Sequence, residues 1–144
     1  MALSITNTQW IDLRKHGEET FPHECCGVLL GTFEADGSKT VQATVRCGNQ
    51  RFDSPQNRYS IDPRELVRIE REARGHEQDI VGFYHSHPQH PAQWSPTDLE
   101  EAHWITCSYV ITSVMNGAAT ETNSFELVAE NDRKSLRDEE IRVL

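Results

Sequence analysis

Residues 85–98 read His85-Ser86-His87-Pro88-Gln89-His90-Pro91-Ala92-Gln93-Trp94-Ser95-Pro96-Thr97-Asp98, an unusual density of imidazole, hydroxyl and carboxylate. Histidines two apart at a strand end project to the same side, so both imidazoles can reach one cation. The proline-punctuated stretch after them has little apolar character and reads as a loop. Such a loop can fold back and set Asp98, at the start of a helix, beside His85 and His87. Two histidines and one carboxylate make a three-ligand zinc site whose fourth position is left for water.

An activated water needs a group to take its proton and pass it to the leaving amine. Glu24 is the candidate general base, because it opens an early strand and sits at a sheet end as the histidines do. A carbonyl that gains negative charge needs a hydrogen-bond donor, and the hydroxyl of Ser95 lies between the ligands in sequence. Asp98 also suits a helix cap, which is compatible with ligation. His90 offers a competing third imidazole, although Pro91 directly after it makes it a poorer ligand than Asp98. Trp94 reads as a packing anchor for the loop or as a substrate-facing aromatic.

The elements that position these groups follow from pattern. Thr8 or Thr6 caps a first helix to about Glu19, and Phe21-Pro22 ends it. Glu24 to Phe33 and Thr40 to Cys47 form a hairpin about Asp36-Gly37. Asn49 to Arg58 is a polar loop, and Tyr59 to Ile61 a candidate short strand. Asp62-Pro63-Arg64-Glu65 is a helix start, with Leu66, Ile69 and Ala73 on one core face and Gly75 as the stop. The apolar, β-branched run Asp79 to Tyr84 suits a central strand that delivers the histidines. Thr97 to Trp104 reads as a helix, Cys107 to Val114 as a strand, Asn116-Gly117 as a turn and Thr122 to Ala129 as a strand. The charged tail from Asn131 is open between a short helix and a solvated edge. Helices and strands intermix, so a single α/β or α+β domain with a mixed sheet is expected over residues 1–144.

Composition narrows the partners. Lys+Arg number 14 against 23 Asp+Glu, a formal charge of −9, which argues against nucleic acid as a partner. No run approaches the roughly 20 apolar residues of a membrane span, and the N-terminus has no basic or apolar leader, so a cytoplasmic protein is expected. Cys25, Cys26, Cys47 and Cys107 form no C-x-x-C pair. They read as small buried apolar residues in a reducing compartment, with no feature that requires a catalytic thiol.

Glu24, then His85-Ser86-His87, seven residues, Ser95, two residues and Asp98 together resemble the JAMM motif of MPN+ proteases. Pro22-His23-Glu24-Cys25-Cys26-Gly27-Val28-Leu29-Leu30-Gly31 and Tyr59-Ser60-Ile61-Asp62-Pro63 are similar to stand-alone prokaryotic members. The resemblance runs from about Trp10 to Val128. It implies an MPN/JAB fold: a mixed, curved sheet flanked by helices, cytidine-deaminase-like. It further implies one zinc ion per chain and a peptidase or isopeptidase acting at the Gly-Gly C-terminus of a ubiquitin-like protein. The short chain favours a ThiS-, MoaD- or CysO-like sulfur carrier over a linkage-specific ubiquitin chain. A substrate tail added to an exposed sheet edge would place Phe52 to Ser60 as a lining segment. The rival from a binding class is a non-catalytic MPN scaffold for such a protein. A zinc deaminase is a poorer reading, since it needs an H-x-E followed by P-C-x-x-C and the chain has Cys25-Cys26 but no C-x-x-C. Substrate-binding residues, leaving group and oligomeric state are not legible.

Overall fold

The computed structural model describes residues 2–50 and 59–144. Of the loop Asn49–Arg58 and the candidate lining segment Phe52–Ser60, residues 51–58 lie outside the described residues.

Among the described residues seven strands and three helices build the chain in the order β1 (Ala2–Ile5), α1 (Asn7–Thr20), β2 (Cys26–Phe33), β3 (Lys39–Cys47), α2 (Pro63–Gly75), β4 (Asp79–Pro88), α3 (Pro96–Glu101), β5 (Ser108–Met115), β6 (Ala118–Glu130) and β7 (Arg133–Val143). Thr6 caps α1 through a reciprocal pair with Gln9, and Asp62 caps α2 ahead of Pro63. No helix is long and apolar enough to cross a membrane among the described residues.

The sheet is mixed, as expected, but it closes on itself in the order β1-β3-β2-β4-β5-β6-β7. β1 pairs in parallel with both β3 and β7, and β4 pairs in parallel with β5; the remaining pairs are antiparallel. Closure comes from the tail, whose sequence is open between a short helix and a solvated edge and which is instead a paired strand. Asn131 (φ 51°) and Asp132 (φ 62°) make a two-residue turn in the left-handed region that short polar side chains tolerate. That turn sends β7 back along β6 to meet β1.

Three further boundaries differ from expectation. Tyr59 to Ile61 is irregular rather than a strand. The ladder between β2 and β4 stops at Cys26↔His85, so Glu24 precedes its strand instead of opening it. Conversely β4 runs on through the histidines, because β5 continues to pair with it as far as Pro88↔Val114. Parallel neighbours need a long crossover, and residues 89–107, which carry Ser95 and Asp98, are that crossover. Within it α3 ends at Glu101, where the Lys134 ammonium donates to the carbonyls of Glu100 and Ala102.

One face of the sheet packs Leu3, Ile5, Leu29, Val41, Val81 and Val110 around Leu13 of α1. The other packs Val28, Phe83, Ile111 and Leu127 with Ile69 and Ala73 of α2. Gly27 is required on β2, since a Cβ there would lie 2.0 Å from the ring of Tyr84. The Tyr84 hydroxyl in turn meets His16 Nδ1 of α1 at 2.7 Å, a buried polar tie between helix and sheet.

Far from the histidines a charged cluster joins four strands. Lys39 is 1% exposed, and its ammonium lies 2.6 Å from Glu139 Oε2 and 3.2 Å from Glu126 Oε1. Glu139 Oε1 accepts from Ser108 Oγ (2.6 Å) and Ser124 Oγ (2.8 Å). Removing one partner of a buried pair strands the other in low dielectric, at a cost of roughly 3–5 kcal/mol. Lys39→Met is therefore expected to lower unfolding stability by about that amount in urea titrations, and adding Glu139→Gln to recover part of the loss. A Lys39→Met chain as stable as wild type would contradict this.

Candidate active site

Strand periodicity puts His85 and His87 on one face of β4 and Ser86 on the other. Ser95 and Asp98 form a capping box at the start of α3: Asp98 N–H donates to Ser95 Oγ (3.1 Å) and Ser95 N–H to Asp98 Oδ2 (2.8 Å). Asp98 thus caps its helix, and the cap holds the carboxylate toward β4. His85 Nε2 lies 3.2 Å from Asp98 Oδ1, His87 Nε2 lies 3.1 Å from Asp98 Oδ2, and the two Nε2 atoms are 3.2 Å apart.

This triangle fits a small divalent cation. Nitrogen and oxygen ligands at about 2.0–2.1 Å from a tetrahedral centre lie roughly 3.3–3.4 Å from one another. His87 Nδ1 sits 2.9 Å from the carbonyl of Pro91. A carbonyl only accepts, so the ring proton resides on Nδ1 and the Nε2 lone pair faces the triangle. His85 is packed beneath Tyr59, with ring centroids 4.5 Å apart at 24°. His85, His87 and Asp98 are the group with metal-ligand spacing among the described residues. The three-histidine alternative through His90 is not formed.

The electrostatics point the same way. Burial lowers the pKa of His85, with Asp98 partly offsetting it. Burial also opposes charge on His87, but there the hydrogen bond and charge of Asp98 prevail and raise it. Asp98 is penalised by burial, yet its two imidazole partners hold it well below the usual carboxylate range. Glu24 is 4% exposed and is pushed up to about 9, by burial first and then by the charges of Asp98 and Glu101. Its Oε1 is buried with no hydrogen-bond partner among the described residues. A buried, uncompensated carboxyl beside three convergent acceptors is a place where positive charge is missing.

Glu24, His87 and Ser95 line one cavity of about 360 Å³, with His90, Gln93 and Thr97 on its rim. Ser95 Oγ accepts from its own helix, which leaves its proton to donate. A second cavity, about 310 Å³, is lined by Tyr59, Ile61, Leu66, Phe83, Trp104 and Tyr109. Trp94 is 36% exposed. Polar ties hold the crossover: Ser113 Oγ to the carbonyl of His90 (2.6 Å), Asn123 Nδ2 to that of Ala92 (2.9 Å), and a reciprocal pair between Gln89 and Asn116. Ser113 and Asn123 carry no local sequence signal for these contacts, and the turn at Asn116-Gly117 and the motif from Tyr59 did not disclose theirs. All four cysteines are free and buried, and burial pushes every thiol up, Cys25 to about 11 and Cys47 and Cys107 to about 12.

Two histidines from one strand and an aspartate capping the next helix, on a mixed sheet, define a JAB/MPN-type domain. The chain belongs to the family described as prokaryotic homologs of the JAB domain, which matches residues 8–128. It is 40% identical over 92 residues to a desampylase from Haloferax volcanii, covering 64% of this chain and 63% of that protein. A probable TtuB-protein conjugate cleaving protease from Thermus thermophilus is 37% identical over 93 residues, covering 65% and 58%. The match therefore spans less than two thirds of either relative. Among solved structures, a Desulfitobacterium hafniense protein superposes with TM-score 0.78 at 26% identity, covering 100% of this chain and 94% of that one. A Salinibacter ruber protein gives 0.72 at 36% identity, covering 99% and 91%.

Protein dialysed against zinc and then against buffer is expected to retain about one ion per chain by metal analysis. His87→Ala and Asp98→Ala should each fall to background. Full retention by Asp98→Ala would show that the triangle is not the binding site.

Proposed function

We propose that this chain, acting as one unit over residues 1–144, is a zinc-dependent isopeptidase that hydrolyses an amide bond at the Gly-Gly end of a ubiquitin-like or sulfur-carrier protein. The observation that carries the reading is the buried Glu24 carboxyl, whose Oε1 has no hydrogen-bond partner among the described residues and which shares a cavity with His87 and Ser95. The names of the two curated relatives, one a desampylase and one a conjugate-cleaving protease, support the substrate class.

His85, His87 and Asp98 would hold the zinc, a choice that follows from two imidazoles and one carboxylate. When bound, zinc supplies positive charge that acidifies water and polarises a carbonyl. Glu24 takes the proton from the attacking water and returns it to the departing amine. Burial and two neighbouring carboxylates make Glu24 strongly basic, and nearby positive charge brings that basicity back toward neutrality. The Ser95 hydroxyl donates to the carbonyl oxygen as it gains charge. The second cavity mixes aromatic and aliphatic side chains with Ser60, Glu101 and His103, and Tyr59 links it to His85. It suits a stretch of extended tail with both apolar and polar groups leading into the site. A cytoplasmic setting agrees with four free, buried thiols.

The test is a Gly-Gly-ended ubiquitin-like protein joined by an amide to a peptide or to cysteine. Cleavage is expected, with loss on chelation and return on adding zinc. Glu24→Gln should keep its zinc and lose turnover by roughly 10²–10⁴-fold. A Glu24→Gln chain of wild-type activity would remove the base. A chain that neither retains zinc nor cleaves would be a scaffold.

A further inference from the structure

The general base just assigned lies outside the sheet, since β2 begins only at Cys26. A carboxylate on an untethered lead-in would be poorly aimed. The peptide unit that follows Glu24 is, however, gripped at both ends. Its N–H, on Cys25, donates to Ser86 Oγ at 2.8 Å, and its carbonyl, on Glu24, accepts from Asn49 Nδ2 at 3.2 Å. Two hydrogen bonds from opposite sides fix the plane of one peptide, and with it the direction in which the preceding Cα presents its side chain.

Ser86 occupies the middle of the pair of histidines. The β2–β4 register, with Cys26 opposite His85, would next set Cys25 opposite Ser86. Ser86 N–H does donate to the Cys25 carbonyl at 3.3 Å, as the ladder would require. The return bond goes to the Ser86 hydroxyl rather than to its carbonyl. Ser86 is fully buried. Gly17 of α1 lies directly over it, where a Cβ would come within 3.2 Å of Ser86 Cβ and 3.1 Å of Val114 Cγ2. Helix α1 thus closes over the hydroxyl and keeps water from competing for the Cys25 N–H. Asn49 completes the grip from β3's end, where its Oδ1 also accepts from Ser60 N–H at 3.1 Å, next to the Tyr59 that covers His85.

We infer that Ser86, with Asn49, is a positioning residue that clamps the Glu24–Cys25 peptide, so that the strand holding the two histidines also sets the aim of the general base. Ser86 takes no part in bond making; its side chain points away from the cavity and toward α1. The inference rests on the proposed hydrolysis, and its test separates the two.

Ser86→Ala removes the acceptor without adding bulk, and Ser86→Thr keeps the hydroxyl. Misplacement of a catalytic group by about 1 Å costs on the order of 10²-fold in rate. In Ser86→Ala the turnover number should fall roughly 10- to 100-fold, with KM and zinc stoichiometry unchanged. Amide hydrogen exchange at Cys25, read in the cation-free protein as well, should accelerate about tenfold or more as protection is lost. Ser86→Thr should restore both readouts. An active wild type beside an equally active Ser86→Ala overturns the clamp alone, as does a Ser86→Ala that loses zinc together with turnover. Unchanged exchange at Cys25 overturns it too. A wild-type chain with no turnover overturns both the clamp and the hydrolase reading.

Discussion

The carboxylate of Asp98 serves two structures at once, and the site depends on that double use. Its Oδ2 accepts from Ser95 N–H to close the capping box of α3 and also faces His87, while its Oδ1 faces His85. A carboxylate on a free loop would lose side-chain entropy on reaching the imidazoles. Here the helix cap has already fixed it. The constraint runs backward through the chain: α3 must start within reach of β4, so the crossover from β4 to β5 must be tight. Its prolines and its ties to Ser113, Asn123 and Asn116 make it so. The carbonyl of Pro91, in that same crossover, fixes the tautomer of His87.

What the sequence disclosed, and what it withheld, follows from the range of the forces involved. His85, His87, Ser95 and Asp98 were legible because they lie within 14 consecutive residues on a strand, a loop and a helix start, each with a local signature. Glu24 is distant in sequence, and alone it reads as a solvated strand-end carboxylate. Only its company with the histidines and Asp98 singled it out, and its burial just before β2 comes from the fold. The clamp on its peptide was not legible, because Asn49 and Ser86 meet it only through the fold. β7 was missed for a different reason. Its residues are mostly charged and exposed, with Leu136 buried at 6%, so no apolar alternation announces a strand. Its identity as a strand comes from pairing with β6 and β1, which no local window contains. Histidines placed inside β4 rather than after it reflect the same limit, since β5 extends the ladder beyond the apolar run.

Closing the sheet also changes how the site is supported. A curved sheet with an open edge could splay, and the spacing between β2 and β4 would then vary with it. In the closed arrangement β4 is held on both sides, antiparallel to β2 and parallel to β5, and α1 packs behind it through Tyr84 and His16. The spacing between the groups on β4 and the residues before β2, such as the 2.8 Å from Cys25 N to Ser86 Oγ, is therefore a property of the whole barrel.

The barrel meets the problem of buried negative charge twice, with opposite solutions. At Glu126 and Glu139 the chain supplies its own cations: Lys39 reaches both carboxylates, Arg137 lies 3.3 Å from Glu126 Oε2, and two hydroxyls donate to Glu139 Oε1. That cluster is self-contained and seals the structure. At Asp98 and Glu24 the chain supplies acceptors: among the described residues the ion-pair partners of Asp98 are imidazoles, and Glu24 Oε1 has no partner. Desolvation is as costly at one end as at the other. The fold thus provides a lysine for one pair of carboxylates, and at the other a group, His85, His87 and Asp98, whose spacing could hold a metal ion.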